Sequence, residues 1–125
     1  MLEIKPIQEK EEQKEICALC GFEFDADCLA YSARESGRLL AAAQFRIYGK
    51  YAVIHSLAGA PGTSDFEALT AAGQAALAFI YSCSVGEVFM ETQDKRLPEA
   101  LGFKKSGGKY RLDLKEYFSR PCSPS

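Results

Sequence analysis

A few side chains in this sequence have the types and spacing that do chemistry. His55 is the chain's one histidine, and Glu91 lies near the end of the strand-like run from Val85 to Thr92. An imidazole or a carboxylate is the usual group for taking a proton from an attacking nucleophile. The plainer readings are a hydrogen-bonded structural histidine between Ile54 and Leu57, and a solvated carboxylate at a strand end. Tyr110 carries a phenol that can deliver a proton or simply cover a sheet. Cys17-Ala18-Leu19-Cys20 has the spacing of thiol redox motifs and of half a zinc site. Zinc needs four ligands, and Cys28 is the one further thiol nearby. A redox pair normally opens a helix, whereas this one closes its helix on an apolar stripe with Ile16 and Leu19. Core packing is therefore the expectation for Cys17 and Cys20, with no metal. Cys28 and Cys83 also read as small core residues, and Cys122 as an exposed thiol.

The elements that position these groups follow from periodicity. Residues 2–7 alternate apolar and polar, the period of a half-buried strand. Residues 9–20 are helical, with Gly21 in place for a left-handed cap. Strand-like runs over 28–34 and 38–48 flank Glu35-Ser36-Gly37, and 51–58 follows the reversal at Gly49-Lys50, which makes a three-stranded antiparallel meander. Gly59-Ala60-Pro61-Gly62-Thr63 breaks the pattern. Ser64-Asp65-Phe66-Glu67 has the spacing of a capping box with Ser64 as the cap, and a long helix runs on to near Ser84. Its Ala71, Ala72, Gly73, Ala75 and Ala76 keep part of its surface slim enough to lie close to a sheet. Residues 85–92 form the next strand, and a strand–helix–strand succession in one sheet implies a right-handed parallel crossover. Pro98 limits the helix in 94–101 to a short one, ended by Gly102. Gly107-Gly108 turns the chain into a last strand through Tyr110, Leu112 and Leu114. The organisation is a single mixed α/β domain over 1–118, followed by a tail, 119–125, with nothing to bury.

Length and charge narrow the function. With 125 residues, 47% hydrophobic and 26% charged, the chain suits one domain with a real core. Its 15 basic and 17 acidic residues give a net charge of −2, which supplies no electrostatic footprint for nucleic acid or a membrane surface. The N-terminus shows no signal-peptide pattern. The longest apolar run, 75–81, falls far short of the roughly 20 residues that cross a bilayer. Five cysteines, an odd number without dense spacing, agree with a reducing compartment. The expectation is a soluble, cytoplasmic protein.

The order of elements, continued through Leu101-Gly102-Phe103 and the closing hairpin, resembles the GNAT superfamily of acyl-CoA-dependent N-acyltransferases over residues 2–118. Leu57-Ala58-Gly59-Ala60-Pro61 is similar to the Leu-Ala-Val-x-Pro that ends the family's fourth strand. Leu101-Gly102-Phe103 with Tyr110-x-Leu112-x-Leu114 is similar to its C-terminal segment. The resemblance implies the GNAT fold and acetyl-CoA as co-substrate, without a metal. The pantetheine arm would lie along Leu57, Ala58 and Gly59, and the phosphates over Gly62, Thr63 and Ser64. An acyl group would pass to a small-molecule or peptide amine, with Glu91 or His55 as base, Tyr110 as a substitute acid, and an amide near Leu57 or Ala58 holding the thioester oxyanion.

Three departures bear on that expectation. The family's Arg/Gln-x-x-Gly-x-Gly/Ala loop falls on Ser64, Glu67 and Leu69, while Asp65 and Glu67 put negative charge in the first helical turn and Pro61 has no N–H. Pro98 stands where many members carry the tyrosine that protonates the leaving thiolate. The link over 21–27 has no room for the family's second helix, so an acceptor site would be open or completed by another subunit in a homodimer. The competing expectation is a catalytically silent GNAT-like binding or dimerisation module that has lost coenzyme A.

Overall fold

The computed structural model describes residues 1–63, 65–92 and 95–119. The elements are β1 (Leu2–Pro6), α1 (Lys10–Leu19), β2 (Leu29–Glu35), β3 (Arg38–Tyr48), β4 (Tyr51–Gly59), α2 (Phe66–Ser82), β5 (Glu87–Met90), α3 (Arg96–Leu101), β6 (Lys104–Ser106), β7 (Lys109–Asp113) and α4 (Leu114–Ser119). They form a seven-stranded sheet in the order β1-β2-β3-β4-β5-β7-β6. β4 and β5 pair in parallel, and the other neighbours pair antiparallel. The meander and the parallel crossover are as the periodicity predicts. No described helix is long and apolar enough to cross a membrane.

Both faces of the centre of the sheet are covered, so β3 is buried at every position from Leu40 to Phe45. Ala43 and Phe45 face the main core with Leu77 and Ile80 of α2. Ala42 belongs to a second cluster with Ile16 and Cys20 from the α1 segment and Ala60. The slim stripe of α2 serves the close approach the sequence implies: a Cβ on Gly73 would stand 2.8 Å from Leu101 Cδ1 and 3.2 Å from Leu57 Cδ2.

Under α1 lies a buried polar network. Gln13, fully buried, donates to Gln44 Oε1 at 3.0 Å. The Gln44 amide accepts the Asp25 N–H at 3.0 Å and donates to the Glu23 carbonyl at 2.9 Å. It thus replaces secondary structure in satisfying the short link between α1 and β2, since buried polar groups need partners. No helix intervenes there, as the link length predicts, and the open end of the sheet beside it is left uncovered.

Several boundaries correct the sequence reading. Asp65, not Ser64, caps α2: its carboxylate accepts the Ala68 N–H at 3.0 Å. Ser64 lies outside the described residues, as does Cys122. Leu114 opens α4 rather than ending β7, with the Asp113 carboxylate accepting the Glu116 N–H at 3.1 Å. Asp113-Leu114-Lys115-Glu116 has the acid-x-x-Glu spacing of a helix start, a signal the strand alternation overrode. Pro98 is accommodated as the third residue of α3, inside the first turn, where no intrahelical N–H is needed.

Cys17, Cys20 and Cys28 are buried, as expected, but Cys83 is exposed because it sits at the C-cap of α2. Burial, aided by Cys17, pushes the Cys20 thiol up to about 11. Burial followed by the Asp25 carboxylate pushes Cys28 up to about 12. Burial also raises Cys17. These thiols stay protonated and unreactive at neutral pH. Among the described residues no three His, Cys, Asp or Glu side chains gather as metal ligands do.

Two outcomes follow. Gln44→Leu takes the side-chain partner from the Asp25 N–H and the Glu23 carbonyl, while the Gln13 amide keeps the Asp25 and Cys28 carbonyls at 3.3 Å, and should lower stability by about 2 kcal/mol; a urea midpoint equal to that of the parent would show the network to be dispensable. In a Cys122→Ser background, maleimide should label Cys83 in the native protein and reach Cys17, Cys20 and Cys28 only after unfolding. Mass mapping of the labelled peptides reads this directly.

Candidate active site

The site is built where β4 and β5 part. Their parallel ladder runs from Tyr51 opposite Glu87 to Ile54 opposite Met90, and the last rung is the Glu91 N–H donating to the Ile54 carbonyl at 3.1 Å. Beyond it β4 continues to Gly59 with β3 on one edge, and no described strand pairs with its other edge.

At the same point β4 carries a bulge. Gln44 faces Ser56 and Phe45 faces Ile54, so His55 is the extra residue. A bulge adds one residue, bends the strand and re-aims side chains. It also shifts the inward phase: Ala52 and Ile54 are buried, and then Leu57 rather than Ser56. That three-residue step between apolar positions is the sequence signal for the bulge.

The bulge and the parting strands place three polar side chains in a row. Glu91 Oε1 lies 2.6 Å from His55 Nδ1, and the Tyr48 hydroxyl lies 2.7 Å from His55 Nε2. An ionised carboxylate only accepts, so Nδ1 carries the proton. Nε2 accepts from the Tyr48 O–H when the ring is neutral and donates to the Tyr48 oxygen in the imidazolium. His55 is partly shielded, its side chain 28% exposed, while Glu91 is open at 67%. Such a row can pass a proton: one arriving at the Tyr48 oxygen can be matched by one passing to Nε2, with the imidazolium held against Glu91.

His55 and Glu91, separate candidates in the sequence, are thus brought together by parallel pairing. Tyr48 escaped sequence reasoning, because it joins them only through the hairpin register that sets it opposite Tyr51. Tyr110 stands opposite Met90 on β7 and lines a cleft of about 740 Å³ that also contains Glu91. That cleft is floored by Tyr51 and Phe89, with ring centroids 6.0 Å apart, and rimmed by Lys95, Lys105 and Lys109.

His55 borders a second hollow, of about 530 Å³, with Glu23, Asp25 and Gln44. The Asp25 carboxyl is held below its ordinary range, chiefly because it accepts the Asp27 N–H at 2.9 Å. The hollow therefore holds the Asp25 carboxylate as a charge near the imidazole, with the Arg46 guanidinium 5.0 Å from the Tyr48 ring on the same face.

The loop after β4 is closed on itself. The Ala60 N–H donates to the Leu40 carbonyl at 2.9 Å and the Thr63 N–H to the Ala60 carbonyl at 3.2 Å. The Thr63 hydroxyl lies 2.8 Å from the Ala60 carbonyl and 3.2 Å from that of Leu40. Gly59 is the seat of this fold-back, since a Cβ there would stand 3.2 Å from Thr63 Oγ1. Pro61 offers no N–H, Asp65 occupies the Ala68 N–H, and Glu67 shares the same turn. The Arg96 guanidinium is stacked 5.4 Å over the neighbouring Phe66 ring.

Against a coenzyme A thioester these residues fit in part. The unpaired edge of β4 from Ser56 to Gly59 suits an extended amide-bearing arm, which can add to a sheet edge like a strand. The corner at Gly62 and Thr63 does not suit a pyrophosphate, because the Ala60, Thr63 and Ala68 N–H groups are taken, Pro61 has none, and Asp65 and Glu67 put two carboxylates in the turn.

No protein-family model matches the sequence, and no curated protein is similar to it. Its structure is similar to many solved ones. An acetyltransferase of the GNAT family from Brucella melitensis, solved in complex with acetyl-CoA, aligns with a TM-score of 0.71 at 12% identity, covering 99% of this chain and 92% of the other. The spermidine/spermine N-acetyltransferase SpeG from Vibrio cholerae aligns at 0.72 and 12% identity, over 94% and 98%. The ribosomal-protein alanine N-acetyltransferase of Escherichia coli aligns at 0.67 and 15% identity, over 85% and 79%. A mixed sheet with this strand order, the parting of β4 from β5 and these alignments lead to one conclusion: the chain has the fold of the GNAT acetyltransferases.

Proposed function

We propose that this protein is an N-acyltransferase that moves an acyl group from an acyl thioester of the acetyl-CoA type to a small-molecule or peptide amine. The observation that carries the reading is the Tyr48–His55–Glu91 row at the fork of β4 and β5. The structural neighbours support it, since they include enzymes named for polyamine and ribosomal-protein acetylation and one in complex with acetyl-CoA. A silent binding module would have no use for a histidine held between a carboxylate and a phenol at the mouth of the fork, which is why the catalytic reading is preferred.

The thioester supplies an acyl carbon with a good leaving group. The chain supplies the rest. The edge of β4 aligns the arm, and an amide near Leu57 or Ala58 faces the carbonyl oxygen as negative charge develops on it. Glu23, Asp25 and Glu91 make the surroundings of His55 negative and draw in a protonated amine. The amine's proton passes to the Tyr48 oxygen as the Tyr48 proton moves to His55 Nε2, leaving a free lone pair for attack. Glu91 holds the imidazolium that results and fixes the ring so that Nε2 faces the Tyr48 oxygen. Tyr110, in the adjoining cleft, is placed to give a proton to the departing sulfur.

The test is turnover of acetyl-CoA over a panel of amino acids, polyamines and N-terminal peptides, with acylated product read by mass spectrometry. For whichever amine is acylated, His55→Ala should lower kcat at least 100-fold, within the usual worth of general base catalysis. Glu91→Gln and Tyr48→Phe should each lower it roughly 10-fold or more, with melting temperatures close to the parent's. A His55→Ala protein that keeps its parent's kcat would remove the relay from the mechanism.

A further inference from the structure

The loop that follows β4 disagrees with the nucleotide half of coenzyme A, and this says what part of the donor the protein reads. Gripping a pyrophosphate takes free N–H groups at a helix N-terminus together with local positive charge or none. Here the Ala60 and Thr63 amides are spent on the Leu40 and Ala60 carbonyls, and the Thr63 hydroxyl lies on those same two oxygens. Pro61 has no N–H to give, and Asp65 has taken Ala68 for its own cap. What remains among the described residues, at Gly62, Asp65, Phe66 and Glu67, shares the turn with two carboxylates, Asp65 and Glu67, and the nearby Arg96 guanidinium is stacked over the Phe66 ring. A phosphate pair arriving there would have to displace a carboxylate cap and sit beside like charge. The edge of β4 has no such conflict, since no described strand pairs with it beyond Ile54 and it lies beside the Tyr48–His55–Glu91 row.

Resting on the acyltransfer reading above, we infer that the donor is recognised by its acylated pantetheine arm alone, so that the nucleotide of coenzyme A adds little to binding. The substrate class on the donor side is then any acyl-pantetheine thioester whose arm can reach the fork, whatever its far end carries. The cap explains why the nucleotide is not read: Asp65 stabilises α2 without a ligand, so no anion is needed to complete that helix terminus.

The experiment compares acetyl-CoA, S-acetylpantetheine and 3′,5′-ADP with the full chain at low ionic strength, by calorimetry and by amide shifts in ¹H–¹⁵N spectra. Acetyl-CoA and S-acetylpantetheine should bind within about 3-fold of one another. Both should move the amides of Ser56 to Gly59 and leave Gly62, Thr63 and Phe66 in place, while 3′,5′-ADP at millimolar concentration should move none of these. The double variant Asp65→Asn, Glu67→Gln removes the like charge, and should tighten acetyl-CoA several-fold while leaving S-acetylpantetheine unchanged. Binding of acetyl-CoA at least 30-fold tighter than S-acetylpantetheine, or shifts at Gly62 and Phe66 with 3′,5′-ADP, would overturn the inference and leave acyltransfer standing. Equal effects of the double variant on both donors would also overturn it. If neither thioester moves the β4 edge, the acyltransfer reading itself falls and takes this inference with it.

Discussion

The structure turns on the single rung at which the Glu91 N–H meets the Ile54 carbonyl. Up to that rung two parallel strands are locked side by side in the core; past it they separate. A strand edge left unpaired inside a sheet is normally a liability, because its N–H and C=O groups lack partners. Here the same rung sets Glu91 beside His55, and the bulge at His55 turns the imidazole toward Tyr48. One backbone hydrogen bond therefore fixes both the open edge and the polar row next to it. A change in register of β5 by one residue would send Glu91 to the other face and dissolve the row.

The loop after β4 shows two demands in competition. A helix N-terminus is stabilised either by a ligand anion or by a carboxylate of its own chain, and the two exclude each other at close range. In α2 the chain's own carboxylate has won: Asp65 is the cap and Glu67 reinforces the field. Thr63 folds back over Gly59 and draws the loop tight against Leu40. The corner is stable without an anion, and the open part of the fork is confined to the strand edge.

The opposite side of the sheet is shaped by what the chain lacks. With only seven residues between Cys20 and Cys28, there is no helix to cover Tyr48, Tyr51 and Phe89. The buried pair Gln13 and Gln44 holds the link in place by satisfying its backbone groups. Polar burial of this kind is tolerated only when every member has a partner, and among the described residues no buried side-chain polar atom is left without one. The result is an accessible surface with an aromatic floor and mixed charge beside the Tyr48–His55–Glu91 row.

Much of the architecture was legible in the sequence. The strand-like runs over 38–48 and 51–58, the reversal at Gly49-Lys50, the small-residue stripe of α2 and the stop at Gly102 are local properties of short segments, and local sterics and solvent exclusion decide them. The failures were at segment ends: Asp113-x-x-Glu116 was a helix start hidden by strand alternation, and the cap of α2 is Asp65, one residue beyond the expected Ser64, with its carboxylate on the N3 amide. The sequence offered His55 and Glu91 as separate candidates 36 residues apart and gave no reason to join Tyr48 to them. Only the tertiary structure decided that, because parallel pairing across a helix crossover brings together residues with no local relation. By itself, the sequence determined which backbone segments form and which faces they bury; the three-dimensional fold decided which side chains meet at the fork and which loop donors were already spent. The reason is that periodicity acts over one or two turns or pleats, whereas register between strands is settled by the whole core at once.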